Sequence, residues 1–207
     1  MKTLLIVDAQ NDFMKGGSLE VKEANKIIPV INELLNKFDL IIFTKDWHPA
    51  DHKSFASQHK NGKLFETIKL NGLDQSLTPD HCIQYNDGSK LHEDIDLSKI
   101  KGDFYFFKKG LDKKVDSYSG FYDSGKKHFT GLSKFLKERD VHQVFITGLA
   151  LDFCVKHTMI DSINEGFETI LILDGTKGTT KEGSEEAKKE FLEIGGKIIE
   201  SWELQSF

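Results

Sequence analysis

The chain has 207 residues, 28 of them basic and 33 acidic, with 38% hydrophobic side chains and a formal net charge of −5. That balance suits a globular chain with a sizeable core, and the lack of a Lys/Arg block argues against nucleic acid or an anionic membrane surface as partner. Apolar runs such as Leu4-Leu5-Ile6-Val7 are far too short to span a bilayer, and Cys82 and Cys154 do not make a disulfide framework.

Met1 leads straight into a strand rather than a signal peptide, which predicts a cytoplasmic protein. Residues 3–7 read as the first strand, with Asp8 at its carboxyl end. Ile27, Ile31, Leu34 and Phe38 recur at helical spacing, predicting a helix over 21–38 whose start shifts toward Ile28 to place Pro29 in the first turns. Residues 40–44 form a second buried strand, so the chain opens as a βαβ unit with parallel pairing and a right-handed crossover. From 45 to about 102 periodicity is lost, and this excursion carries five of the eight histidines. Its length marks a functional segment or one with short elements of its own. Residues 103–108 resume as a strand, 129–139 as a helix, and 144–147 as a buried β-branched and aromatic strand. Gly148 and Ala150 turn the chain into a helix that ends at Gly166. A strand over 169–173, a helix opened by Ser184 and stopped by Gly195-Gly196, and a short strand over 197–200 complete the chain. With no repeat, linker or low-complexity tract, residues 1–207 read as one α/β domain.

In open parallel sheets ligands bind beyond the carboxyl ends of the strands. Those ends carry Asp8, the pair Lys108-Lys109, and the turn from Gly148 to Cys154. A thiol delivered to a helix N-terminus suits a nucleophile, because the dipole lowers its pKa and nearby N–H groups can hold an oxyanion. Asp8 would take the thiol proton and Lys109 would stabilise the thiolate. Singly, each residue has a plainer reading: a packed thiol, a loop cap, a solvated charge. A second constellation is Asp46-x-His48 with His52 and His81, which suits a borderline divalent ion such as Zn²⁺, Fe²⁺ or Mn²⁺. Here too His52 and His59 have the alternative of being solvated loop residues.

Five stretches in order, IVDAQNDF (6–13), TKDWHPADHKSFA (44–56), PDHC (79–82), KG with DSYSGF (109–110 and 116–121) and GLALDFCV (148–155), resemble the isochorismatase-like cysteine hydrolases, and within them the nicotinamidases. The resemblance covers nearly the whole chain. It implies three α/β/α layers around a mostly parallel sheet of about six strands. It also implies Cys154 as nucleophile, Asp8 as proton shuttle, and Lys109, which directly precedes a glycine, as third member. Asp46, His48 and His81 would hold one divalent ion, zinc by preference with iron or manganese as alternatives, and His52 ranks below them. The family carries a cis peptide that here is Leu149-Ala150, with oxyanion donors at the N–H groups of Ala150 and Cys154, and Phe13 would pack on the substrate ring. The implied reaction is metal-dependent hydrolysis of nicotinamide to nicotinate and ammonia through a thioester, in NAD salvage. Homo-oligomer formation is left open. Thr78 stands where many members have an aromatic residue, so Trp47, Tyr105 or Phe121 is expected to close the ring pocket, and Cys82 reads as a packed thiol. The rivals are a metal-free amidase for a carbamoyl or ureido substrate, a nucleotide-binding module and a noncatalytic scaffold. Asp46, His48 and His81 count against the first. The second lacks a glycine-rich turn after the first strand, and Cys154 counts against the third.

Overall fold

The computed structural model describes residues 1–206. Its centre is a sheet of six strands: β1 (Thr3–Val7), β2 (Leu40–Asp46), β5 (Asp103–Lys109), β6 (Gln143–Leu149), β7 (Glu168–Lys177) and β8 (Lys197–Ile199). The strand order is β5-β2-β1-β6-β7-β8, and every neighbouring pair is parallel. Alternate residues of β1 face opposite layers, as the two-residue period of a strand requires. Leu4 and Ile6 join α1 (Ile27–Leu34) in one core; Leu5 and Val7 join α2 (Leu132–Lys137), α3 (Lys156–Asn164) and α4 (Lys181–Glu193) in the other. The result is three layers, α/β/α. From β1 the order runs outward through β2 to β5 on one side and through β6 to β8 on the other. The crevice where ligands bind in such sheets therefore opens where β1 and β6 end.

Several boundaries differ from those read in the sequence. The helix expected over 21–38 narrows to α1, preceded by a 3₁₀ turn at Ala24–Lys26, because Glu23 takes a left-handed φ of 62°. The helix expected over 129–139 narrows to α2; Phe129 lies outside it, exposed and bridged to Tyr122. α4 begins earlier than Ser184 because Thr180 is the cap, its hydroxyl accepting the Gly183 N–H at 3.0 Å. β7 runs past residue 173, re-registering against β6 between Ile146 and Gly148.

Within the excursion, β3 (Thr67–Leu70) and β4 (Leu73–Ser76) pair as an antiparallel hairpin. Short 3₁₀ turns and isolated bridges, His48 to Ile83 and Phe55 to Thr78, order the remainder. Among the described residues no helix is long and apolar enough to cross a membrane.

Candidate active site

β1 and β6 bring Asp8 and the Cys154 turn together, because Val7 is in register with Gly148. Gly148 has φ 115°, and a Cβ there would lie 2.1 Å from the Val7 carbonyl oxygen, so only glycine permits this approach. Asp8 ends its strand at φ 45°, with its N–H on the Thr44 hydroxyl at 3.2 Å and its Oδ1 accepting from that hydroxyl at 2.7 Å. Cys154 lies in a π-helical turn, Leu151–Val155, one turn ahead of α3. Lys109 is the last residue of β5, paired in register with Asp46 of β2. Of the two adjacent lysines, Lys109 is 2% exposed, whereas Lys108 turns outward over the Trp47 ring.

The Lys109 ammonium donates to Asp46 Oδ1 at 2.5 Å, to the Ser117 carbonyl at 2.9 Å and to Cys154 Sγ at 3.4 Å. Asp8 Oδ2 lies 2.8 Å from the same Nζ, yet with three donors already committed it gains an ion pair and no aligned hydrogen bond. A carboxylate oxygen of Asp8 lies within 4.8 Å of Sγ. Burial pulls the lysine down, but Asp46 and Asp8 outweigh it and hold Lys109 protonated, well above its ordinary range. Burial pushes Asp8 up; Lys109 offsets part of this and Asp46 adds to it. Burial also pushes the Cys154 thiol well up, against Lys109 and with Asp8. The helix-dipole argument from the sequence expects the opposite direction, and desolvation overrides it here. Cys154 consequently rests as a thiol beside a carboxylate of raised basicity, an arrangement suited to proton removal from sulfur.

Asp46 Oδ2 faces two imidazoles, lying 3.6 Å from both His48 Nε2 and His81 Nε2, too far for hydrogen bonds. The Gly110 carbonyl lies 3.0 Å from His48 Nδ1 and the Pro79 carbonyl 2.9 Å from His81 Nδ1. A carbonyl only accepts, so each Nδ1 carries the hydrogen and each Nε2 offers a lone pair. His48 Nε2 is fully buried with no hydrogen-bond partner, an orphan that a cation would satisfy. Two imidazoles and a carboxylate whose ligand atoms lie within 4.8 Å of one another fit a divalent transition-metal ion. Gly110, at φ 68°, lets His48 pack in, since a Cβ would lie 2.3 Å from the ring. His52 differs. Its Nδ1 accepts the Ser54 N–H at 3.2 Å, so its Nε2, buried without a hydrogen-bond partner like that of His48, bears the hydrogen in this arrangement, which keeps it below the other three as a ligand candidate; with His48 and Asp116 it forms a second group whose ligand atoms lie within 4.8 Å of one another.

Both constellations open onto one cavity of about 230 Å³, lined by Phe13, Asp46, His81, Tyr118, Ala150 and Cys154 among others. The family model described as the isochorismatase domain matches residues 2–203. The chain belongs to the isochorismatase family. It is 41% identical to a nicotinamidase of Acinetobacter baylyi, over 96% of this chain and 92% of that one. The solved structure of an Acinetobacter baumanii nicotinamidase/pyrazinamidase superposes with a TM-score of 0.92 at 39% identity, covering 98% of this chain and 97% of the other. A pyrazinamidase of Pyrococcus horikoshii, solved in complex with zinc, superposes at 0.78 with 35% identity, covering 96% and 98%.

The cis peptide that isochorismatase-family resemblance implies is present at Leu149-Ala150. The aromatic wall is not the one expected. Trp47 faces the Lys45 and Lys108 ammonium groups and Tyr85, Tyr105 packs on Phe135, and Phe121 is buried in the α2–α4 core. Phe65, Tyr118 and Phe153 line the cavity with Phe13 instead, and Thr78 lies on its wall. Phe13 meets the His81 ring edge-on at 5.6 Å. Cys82 is a fully buried free thiol, as its packed reading expects. Gln10 was missed. Its side-chain amide continues the sheet ladder, accepting the Asp46 N–H and donating to the Asp46 carbonyl, both at 2.8 Å. Its place three residues beyond β1, opposite Asp46 at the end of β2, was the available signal.

Proposed function

We propose that the chain is a nicotinamidase, hydrolysing nicotinamide to nicotinate and ammonia through a thioester on Cys154, in cytoplasmic NAD salvage. One observation carries this reading. The Asp46 carboxylate touches Lys109 with one oxygen and faces the His48 and His81 Nε2 atoms with the other, so thiol and ligand set share one cavity. Asp46, His48 and His81 would hold the ion, zinc by preference, and when bound it supplies a Lewis acid for anchoring the ring side of the substrate.

Asp8 takes the Cys154 proton as sulfur attacks the carboxamide carbon, and the N–H groups of Ala150 and Cys154 receive the oxyanion. The proton passes from Asp8 to the departing nitrogen, the C–N bond breaks and ammonia leaves. Asp8 then accepts a proton from water attacking the thioester; the C–S bond breaks, the thiol regains its proton and nicotinate is freed. Lys109 keeps a positive charge beside sulfur throughout. Phe13 orients the ring. Residues 45–102 act as part of the same hydrolase domain, since they contribute His48 and His81 to its site.

Ammonia release from nicotinamide, before and after chelation and metal return, tests the reading. Activity that disappears and returns is expected. Activity indifferent to chelation, from protein shown to be metal-free, removes the ion from the reaction. Hydrolysis of a carbamoyl or ureido amide with none of nicotinamide would replace the substrate.

A further inference from the structure

The β3–β4 hairpin, whose C-terminal flank is held by backbone bonds of Thr78 to Ser54 and Ala56, turns one buried side chain of its own strands toward the active site. None of its residues belongs to either core, and its strands alternate between exposed and half-buried positions except at Gln75, which is 3% exposed. The Gln75 amide nitrogen lies 3.1 Å from Asp116 Oδ2, 3.0 Å from the Tyr118 hydroxyl and 2.9 Å from the Ser76 carbonyl. A carboxylate can only accept, so Asp116 dictates which end of the amide points inward. The other Asp116 oxygen accepts the Ser117 N–H at 2.7 Å, and the Ser117 carbonyl accepts from Lys109. Asp116 and Tyr118 line the cavity with Cys154, and Phe65, Ser76 and Thr78, which flank or end the hairpin, line it too. The Tyr118 ring is backed by His157, stacked at 5.4 Å.

We infer that Gln75 is a positioning residue for substrate binding: its amide ties the hairpin to Asp116 and Tyr118 and so holds the aromatic wall at the width of a single-ring amide. The inference rests on the amidase reading above. Gln75 touches neither the nucleophile nor the ligand set, so its work falls on binding and ring-size selection and not on the chemical step. Phe65 is 64% exposed and Tyr118 keeps its hydroxyl on Gln75, so the amide is the direct hydrogen-bonded link from the hairpin strands to the Asp116–Tyr118 side of this wall. An apolar hairpin anchor would leave Asp116 with one donor fewer in a buried setting, which is why an amide occupies this place.

The test compares wild type with Gln75→Ala and Tyr118→Phe, each as metal-loaded full-length protein. KM and kcat are measured for nicotinamide and for a two-ring amide, quinoline-3-carboxamide, with hydrogen exchange of residues 63–78 and metal content alongside. Gln75→Ala is expected to raise KM for nicotinamide about ten-fold, the equivalent of about 1.4 kcal/mol. kcat and metal content should stay within about two-fold of wild type, the two-ring amide should lose less than nicotinamide, and the hairpin should exchange faster. Tyr118→Phe, which removes only the accepting hydroxyl, should move KM the same way by less. Unchanged KM and unchanged hairpin exchange would overturn the inference. So would a joint fall in kcat and metal content at constant KM, which would mean that the hairpin serves the His81 loop. If wild type releases no ammonia from nicotinamide, the amidase reading falls by itself. Hairpin exchange then decides the tether alone, faster in Gln75→Ala supporting it and unchanged overturning it.

Discussion

Replacing Lys109 by methionine removes one charge from a site that depends on it three times. The ammonium lies 2.8 Å from Asp8 and 2.5 Å from Asp46, with both carboxylates and the lysine almost wholly buried. Methionine fills much the same volume but leaves two buried carboxylates facing each other. Removing one partner of a buried ion pair costs about 3–5 kcal/mol. In a chain of this size that lowers Tm by about 6–20 °C at neutral pH, at roughly 2–4 °C per kcal/mol. The loss should depend on pH, with a sign fixed by the shifts. In wild type Asp46 is held well below its ordinary range: burial opposes this, and Lys109 and His48 outweigh it. That contribution is present above the unfolded carboxylate pKa and fades as pH falls through the folded one. In the variant burial is unopposed and both carboxylates rise, so their folded state is favoured at low pH and penalised as pH climbs. The gap in Tm between wild type and Lys109→Met should therefore be widest near pH 7 and close toward pH 4. Calorimetry on chelator-treated samples of both proteins measures it without a contribution from bound metal. A gap below about 2 °C at pH 7, or one that widens on acidification, would refute the claim that Lys109 neutralises this pair.

Cys154→Ala should abolish ammonia release while leaving metal stoichiometry at the wild-type value; substantial residual turnover would exclude the thioester route. His48→Ala and His81→Ala should each strip the ion, read by elemental analysis after dialysis, with about a hundred-fold loss of affinity or more. His52→Ala should retain it, since the Ser54 N–H leaves His52 with a protonated Nε2, and equal loss in all three would overturn that tautomer assignment. Gly110→Ala places a Cβ 2.3 Å from the His48 ring at φ 68°. It should cost about 1–3 kcal/mol in denaturant unfolding and weaken metal binding with it, whereas unperturbed binding would show that His48 is positioned otherwise.

The central strands β1, β2 and β6 were legible because they are buried on both faces and read as near-continuous apolar runs; residues 3–7 became β1 without change. Legibility failed where the physics is tertiary. β7 continues through Asp174, Gly175, Thr176 and Lys177, which no local propensity favours, because β6 offers Gly148 and Leu149 as partners after a register shift. Residues 21–26 look helical since Val21 and Ala24 are buried at helical spacing, but Glu23 breaks the dihedral run. The groups beyond the strand ends could be read because topology fixes where they converge. The cavity wall could not. Phe65 and Tyr118 come from irregular segments without a period, and the stretches 116–121 and 148–155 display Tyr118 and Phe153 without saying which way either faces. Gln75 lies in a hairpin that mixes Ile68, Leu70 and Leu73 with polar residues, none of them in either core, where burial of one amide leaves no compositional trace.

Asp46 explains why the Cys154 thiol and the two imidazoles come as one unit on this fold. Its backbone is gripped on both sides by the Gln10 amide, one oxygen takes the Lys109 ammonium and the other faces His48 and His81. Ladder register alone sets Asp46 beside Lys109, and β1 between β2 and β6 sets Asp8 beside the Cys154 turn. A shift of one residue in β2 would flip Asp46 to the opposite layer and separate the lysine from its counter-charge and the imidazoles from their carboxylate together. β2 is buried on both faces, so such a shift would also misplace Ile41, Ile42 and Phe43 between the two cores. Core packing thereby protects the electrostatic arrangement, and the arrangement in turn needs no flexible part of its own: its charges are placed by the ends of strands that cannot slide.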